Sequence, residues 1–232
     1  MKVLITGGAG FIGANLAIYM SNKGHKVVAY DNLTRNSNIL PILKEKDIEV
    51  VRGELDDIGD FLESKKFDII YHFAAQVAVT KSFESPRSDF RINAHGTFNI
   101  VTGAHGTPII YASTNKVYGD NLNNLPIEEL ETRFEFKNEF RGKGIPENFN
   151  IDSKKHTPYG ISKLTGELYV REAGGVANRF SCIYGPNQFG NKDQGWVAHF
   201  IISKIKRRLV TLYGSGKQVR DLLFIEDVVK LL

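Results

Sequence analysis

Tyr159 and Lys163 stand four positions apart in a stretch of helical periodicity, so their side chains share one helix face, a turn apart. A free tyrosine, with a pKa of about 10, is a poor base at neutral pH. A lysine ammonium beside it favours the phenolate and moves it towards the range in which a hydroxyl proton can be taken. Taken alone, Tyr-x-x-x-Lys on a helix is no catalytic signature. Thr114, four residues before Tyr118, ends an apolar β-branched run. The carboxyl end of such a strand points into the crevice where open α/β sheets bind ligands. Its hydroxyl can hydrogen-bond a reacting oxygen there, or the side chain can pack by its methyl.

A second group of residues suits phosphates. Thr6-Gly7-Gly8-Ala9-Gly10-Phe11-Ile12-Gly13 joins a strand-like run to a helix-like one. Gly7 permits a tight turn, Gly10 lets the backbone approach a pyrophosphate, and Gly13 allows helix and strand to pack closely. The helix amino terminus, at Phe11 and Ile12, offers free amides and a positive dipole end. Asp31 closes the second strand, where a carboxylate can accept both ribose hydroxyls and repel a 2′-phosphate. This favours NAD over NADP; Arg35 nearby softens the preference.

The elements that carry these groups alternate. Strands are expected at Lys2–Thr6, Lys26–Tyr30, Glu49–Val51, Asp68–Tyr71, Pro108–Ala112 and Val176–Phe180. Helical patterns run over Phe11–Met20, Arg91–Val101, Tyr159–Glu172 and Trp196–Arg208, with a strand at Leu209–Leu212 and a last helix from near Glu226. Alternation of this kind gives a parallel sheet covered by helices on both faces, with right-handed crossovers. Residues 119–157 hold glycines, asparagines and prolines among mixed charges without a sustained period, as in a lid or small inserted element. Residues 1–180 thus read as a Rossmann-type doubly wound α/β domain with an insert at about 119–157. Residues 181–232 read as part of a substrate-binding region interleaved with the last strands.

Composition narrows the class. The 232 residues carry 30 Lys+Arg against 26 Asp+Glu, a formal charge of +4, and are 42% hydrophobic, so the chain has material for a real core. The basic run Lys204, Lys206, Arg207, Arg208 reads as a solvated helix face, and no nucleic-acid partner is expected. Cys182 is the single cysteine, which excludes an internal disulfide and suits a reducing compartment. No apolar run reaches the roughly 18 residues of a membrane span and no signal sequence follows Met1, so a cytoplasmic protein without a membrane partner is expected. His72, His95, His105, His156 and His199 are unclustered, so no metal site is expected.

The three-residue glycine spacing, with Asp31-Asn32-Leu33, Gly53-Glu54-Leu55-Asp56, His72-Phe-Ala-Ala75, Asn93-Ala-His-Gly-Thr97, Tyr159-Gly-Ile-Ser-Lys163 and Arg220-Asp221, resembles the extended short-chain dehydrogenase/reductases. That superfamily contains the sugar-nucleotide epimerases and dehydratases, and the words occur in its order along nearly the whole chain. Ser113-Thr-Asn-Lys-Val-Tyr-Gly-Asp120, His72 to Thr80, Asp193-Gln-Gly-Trp-Val197 and Gly214 to Asp221 look most like the CDP-tyvelose (CDP-paratose) 2-epimerases.

The resemblance implies an NAD-dependent epimerase acting on a nucleotide sugar, a CDP-sugar by preference, with Thr114, Tyr159 and Lys163 catalytic. It implies cofactor contacts from Gly7, Gly10, Phe11, Ile12, Gly13, Asp31, Asn32, Leu33, Arg35, Glu54, Leu55, Phe73, Ala74, Ala75, Gln76, Asn93, Ala112, Ser113, Tyr159, Lys163 and Arg179, the nicotinamide ring adding positive charge near Tyr159. Substrate contacts fall to Gln76, Thr114, Asn115, Gln188, Gln194 and Arg220, the last a guanidinium fork suited to a diphosphate. The resemblance also suggests a homodimer or homotetramer built on helices starting near Ser88 and Tyr159.

The sequence departs from the family at several places. Glu54 replaces an Asp that meets the adenine amino group. The stretches between Gly96 and Pro108 and between Arg171 and Arg179 are short, so their crossovers must be tight or lack residues. The chain stops at Leu232, before the family's usual end, as a fragment or an incomplete chain would. A 4-epimerase or a 4,6-dehydratase is the alternative within the class, though Asn115 and Lys116 stand where a dehydratase carries acids, which disfavours dehydration. An idle NAD-binding scaffold is the alternative of another class.

Overall fold

A computed structural model of the chain describes residues 1–35, 38–152 and 155–232. β1 (Lys2–Thr6) has Val3, Leu4 and Ile5 fully buried, as a central parallel strand covered on both faces requires. Helix α1 (Phe11–Asn22) buries Ala14, Leu16, Ala17 and Met20 beneath it. β2 (Lys26–Asp31), α2 (Leu40–Glu45), β3 (Glu49–Arg52), α3 (Ile58–Ser64) and β4 (Ile69–His72) continue the alternation. Then come α4 (Val79–Glu84) and α5 (Pro86–Phe90), which runs through a π turn at Arg91–His95 into α6 (Gly96–Gly103). β5 (Ile109–Thr114) leads into a 3-10 segment, Asn115–Asn124, and an antiparallel hairpin of β6 (Ile127–Glu129) and β7 (Phe134–Phe136). The chain finishes with α7 (Pro158–Glu172), β8 (Val176–Phe180), β9 (Cys182–Tyr184), α8 (Trp196–Ile205), β10 (Leu222–Phe224) and α9 (Ile225–Leu231).

Six strands form one parallel sheet in the order β3-β2-β1-β4-β5-β8. Successive strands run outward from β1 in one direction and from β4 in the other, so the order reverses between these two neighbours. Their carboxyl ends, Thr6 and His72, pair in register at that switch point. The pleat sends alternate residues of β1 to opposite faces. Val3 and Ile5 join α1 and α9 in one core, while Leu4 packs with Ile58, Leu62, Ile100 and Val170 in the other. Ile183, Ile225, Val228 and Val229 belong to the first core, so the last fifty residues are partly built into the same body.

The expected Rossmann-type sheet is observed, and several local expectations need correction. Leu209–Leu212 is not a strand: Leu209 and Leu212 are exposed, and a β-branched run without a neighbouring edge has nothing to pair with. α8 stops at Ile205 rather than Arg208. The helix expected over Arg91–Val101 exists but starts earlier and passes through the π turn. The 119–157 stretch is more ordered than its composition implies. It holds the end of the 3-10 segment, the β6–β7 hairpin and a short turn at Asn138–Phe140, fastened by Tyr118 and Phe140 against Phe149. The two short crossovers are tight, with only residues 104–108 between α6 and β5 and 173–175 between α7 and β8.

Candidate active site

A cleft of about 640 Å³ opens at the switch point, within the range of small-molecule sites. The glycine turn forms its floor. Gly7 adopts φ +67°, and a Cβ on Gly13 would stand 2.2 Å from the Gly7 carbonyl oxygen, so neither position has room for a side chain. No side chain caps α1, whose first-turn residues Phe11 and Ile12 line the cleft. Asp31 accepts the Ala9 N–H at 3.1 Å and the Leu33 N–H at 2.8 Å, which fixes its carboxylate at the cleft edge. Asn32 donates to both Glu54 carboxylate oxygens at 3.2–3.3 Å. Gly10, Arg35, Glu54, Leu55, Phe73, Ala74, Ala75, Gln76, Gln188 and Gln194 complete the expected residues on its walls. The Gln188 Oε1 is buried without a hydrogen-bond partner, a spare acceptor on the wall. An uncapped helix start, a side-chain-free turn and a fixed carboxylate fit a dinucleotide.

Other expected residues do not line this cleft. Leu33 packs on the core beside α1. Asn93 turns inward, accepting the Gln76 N–H at 2.8 Å and donating to Asp89 and Ser162. Ser113 donates to Glu167 at 2.6 Å. Arg179 is spent on structure: its Nε and Nη2 bond Glu167, its Nη1 donates to the Glu147 carbonyl at 2.8 Å, and its guanidinium lies over the Tyr118 ring. Ala112 is buried in β5. Asn115 donates to Ser181, and Arg220 is exposed, donating to the Val219 carbonyl next to it. The ammonium of Lys116, half-buried, is shifted downward by burial and by the nearby charge of Arg220.

Thr114, Tyr159 and Lys163 are all buried and do not line the cleft walls. Thr157 starts α7 by accepting the Gly160 N–H at 3.0 Å, and Pro158 takes the first helical position. A Cβ on Gly160 would lie 2.6 Å from the Lys116 carbonyl oxygen, so the missing side chain lets α7 press against the segment after Thr114. The Tyr159 hydroxyl thereby reaches the Thr114 hydroxyl. Lys163 sits with its Nζ 4.0 Å from the centre of the Tyr111 ring.

Burial acts on this pair in opposite senses. It pushes the Tyr159 phenol up to about 12, with the Thr114 hydrogen bond pulling the other way. It drives Lys163 down to about 7, opposed by the charges of Asp89 and Glu167. The sequence expectation of a lowered phenol is therefore reversed in the protein alone, because desolvation and the charge of Asp89 outweigh the Thr114 hydrogen bond. The positive nicotinamide ring is the further charge a bound cofactor brings.

Two acids, Asp89 and Glu167, are missing from the sequence-based site. Asp89 lies four residues before Asn93, and Glu167 four after Lys163; both spacings read equally well as solvated helix pairs. Phe189, Asn187, Lys81 and Arg91 also line the cleft and carried no distinguishing signal. Among the described residues no cluster of three or more His, Cys, Asp or Glu could hold a metal ion.

The chain is 36% identical to a CDP-paratose 2-epimerase of Salmonella typhi, over all of its own length and 73% of that protein. The X-ray structure of Pal from Bacillus thuringiensis superposes with a TM-score of 0.84 at 29% identity, over 99% of this chain and 72% of that one. The UDP-glucose 4-epimerase of Thermus thermophilus, solved in complex with NAD, superposes with a TM-score of 0.77 at 28% identity, over 99% and 72%. Residues 3–232 match the NAD dependent epimerase/dehydratase family, and with its switch-point cleft and glycine turn the chain belongs to that family of NAD-dependent nucleotide-sugar enzymes.

Proposed function

We propose that this enzyme inverts carbon 2 of a CDP-linked dideoxyhexose, interconverting CDP-paratose and CDP-tyvelose through a 2-keto sugar. The observation that carries the reading is the buried hydrogen bond between Tyr159 and Thr114, with Lys163 buried one turn further along the same helix, in a protein with a cleft that fits a dinucleotide. NAD supplies, when bound, a place for a hydride to go and return from. Thr114 holds the sugar hydroxyl by hydrogen bond. The Tyr159 phenolate takes its proton as the carbon–hydrogen bond breaks and becomes the neutral phenol, and the role of Lys163 is to favour the phenolate beforehand. The keto sugar would then turn over within the site, and Tyr159 would give the proton back to its oxygen as the opposite face is reduced, so that the carbon is inverted with no net oxidation. Burial suits this chemistry, since water is kept from the keto intermediate.

The choice of carbon 2 and of a CDP-sugar is supported by the relative at 36% identity. Asn115 and Lys116 stand where a dehydratase would carry its pair of acid/base carboxylates beside Thr114, which disfavours dehydration. A 4-epimerase is the second reading, favoured by the superposition on a UDP-glucose 4-epimerase. Gln188, Gln194 and Arg220 are proposed for the nucleotide and sugar, in a substrate region from residue 181 onward. Exposed Phe83, Phe90, Phe98, Ile161 and Leu168 on α4 to α7 support pairing of these helices with a second copy. A free Cys182 is in keeping with the cytoplasm, and no helix among the described residues is long and apolar enough to cross a membrane.

Incubation of the purified protein with CDP-paratose and with CDP-tyvelose tests the reading. Each is expected to yield the same equilibrium mixture. Conversion of UDP-glucose to UDP-galactose with both CDP-sugars untouched moves the assignment to carbon 4, and no conversion of any sugar favours the scaffold.

A further inference from the structure

Residues 186–195, between β9 and α8, touch helices on two sides of the cleft. At one end the Asn15 side chain of α1 holds them, its Nδ2 donating to the Pro186 carbonyl at 3.1 Å and its Oδ1 accepting from the Asn187 amide at 3.2 Å. Towards the other end the Thr80 hydroxyl of α4 donates to the Asp193 carboxylate at 3.4 Å. Asn187, Gln188, Phe189, Asn191, Gln194 and Gly195 of this segment line the cleft, and so do Phe11 and Ile12 of α1 and Lys81 of α4. The segment is therefore a strap that runs from α1 along the cleft to α4.

Its tip is built as one piece. The Asn191 and Gln194 backbones pair at 2.8 and 3.2 Å, and the Asn191 Oδ1 accepts the Asp193 and Gln194 N–H groups at 2.9 and 3.1 Å. A Cβ on Gly190 would stand 2.5 Å from the Gly195 carbonyl oxygen, so the tip is pinched at its base. Gly185 at φ +146° and Gly195 at φ +71° bound the segment with backbone turns that a Cβ would oppose. The ties at its ends are unequal. Asn15 makes two bonds of ordinary length, whereas the contact to α4 is long for a hydroxyl donor, and Thr80 and Asp193 are both exposed. A segment opens first where the fewest and most exposed bonds hold it. Neither Thr80 nor Asp193 lines the cleft, so a ligand inside does not compete for their contact.

We propose that residues 186–195 are a gate on the cofactor cleft, held to α1 by Asn15 and latched to α4 by Thr80 and Asp193, and that release of this latch sets how fast a nicotinamide dinucleotide enters and leaves. A latch that forms equally well with and without the ligand has no differential interaction with it, so it governs rates and leaves affinity alone. The inference needs only the cofactor and is independent of which sugar carbon is inverted.

Stopped-flow fluorescence of NADH tests it on the full chain freed of nucleotide, with association read on mixing and release on displacement by excess NAD. Thr80→Val removes the donor and Asp193→Ala the acceptor, and thermal melting verifies that each variant is folded. Both rate constants are expected to rise by one common factor, roughly threefold to tenfold for a single hydrogen bond, with Kd unchanged. The double variant should be no faster than either single one, because the contact can be lost only once. Unchanged rates in the folded variants overturn the proposal. So does a release rate that rises alone with Kd weakening in step, the mark of a lost binding contact, and so does a double variant that multiplies the two single effects.

Discussion

Arg179 binds the Glu167 carboxylate at 2.7 Å on one side and the Glu147 carbonyl at 2.8 Å on the other, so one guanidinium ties the 119–157 insert to the helix that carries Tyr159 and Lys163. Glu167 is 2% exposed and the Arg179 side chain 10%, far from the screened regime of surface ion pairs. The bonds to Glu167, its charge and that of Tyr118 raise the guanidinium above its ordinary range, with burial opposing them.

Arg179→Ala leaves the buried Glu167 carboxylate with only the exposed Arg171 guanidinium, 3.8 Å away, for a cation. Removing one member of such a pair costs about 3–5 kcal/mol. Urea denaturation should record a loss of that order, and limited proteolysis should cut the insert faster. A stability within about 0.5 kcal/mol of the parent, the range of an ordinary surface substitution, would show that the pair carries no structural weight.

Gly13→Ala tests the floor of the cleft. The added Cβ would meet the Gly7 carbonyl oxygen at 2.2 Å and force α1 away from the turn. Overpacking of this kind costs about 1–3 kcal/mol. Because the displaced first-turn residues line the cleft, calorimetry should find NAD affinity reduced by roughly tenfold or more.

Asp31→Ser removes the carboxylate that the Ala9 and Leu33 amides hold at the cleft edge. Hydrogen bonds to a charged group contribute about 1.5–3 kcal/mol, so NAD should bind roughly tenfold to a hundredfold more weakly. The repulsion of a 2′-phosphate disappears with the charge, and Arg35 remains on the cleft wall. The ratio of NADP to NAD affinity, measured by the same titration, should therefore rise.

Local signals made the cofactor half readable in advance. The glycine turn, Asp31 and the strand runs each follow from steric and hydrophobic rules that act over a few residues. That Tyr159 and Lys163 share a helix, one turn apart, was readable for the same reason. What sequence spacing could not convey is burial: Asp89 and Glu167 look like solvated helix acids until α7 packs on β5 and α5 on α7. Arg179, read as a cofactor contact by resemblance, is claimed instead by Glu167 and the insert. Leu209–Leu212 has strand composition, but composition supplies no partner edge, and the segment stays exposed.

The His72 ring bridges Thr6 at 2.7 Å and Thr97 at 2.9 Å across the switch point, fully buried. Burial, aided by the Lys163 charge, lowers its pKa well below the ordinary 6.5. In the window between that ordinary value and the lowered native one, the unfolded chain binds a proton that the native protein does not. Its contribution to stability is thus complete above about pH 6.5 and is lost as the pH falls through the window, by up to about 1.4 kcal/mol per pH unit. His72→Gln, which cannot take up that proton, should flatten the slope of unfolding free energy between about pH 6.5 and 5. An identical slope in both proteins would assign the acid sensitivity to other groups.

Tyr159→Phe removes only a hydroxyl, from a ring packed between α7 and the segment after Thr114. The proton acceptor of the proposed reaction is lost, while the glycine turn, Asp31 and the Gln76 wall stay as they are. General acid–base catalysis contributes about 10²–10⁴ in rate, so kcat for CDP-paratose should fall by at least the lower figure. NAD should remain bound with unchanged affinity, because no wall of its cleft is altered. The phenol also reaches Thr114, so Thr114→Val should lower kcat in the same direction, and the double variant should lose less than the product of the two single losses. Near-normal turnover by Tyr159→Phe would remove Tyr159 from the chemistry, whatever the fate of the cofactor cleft.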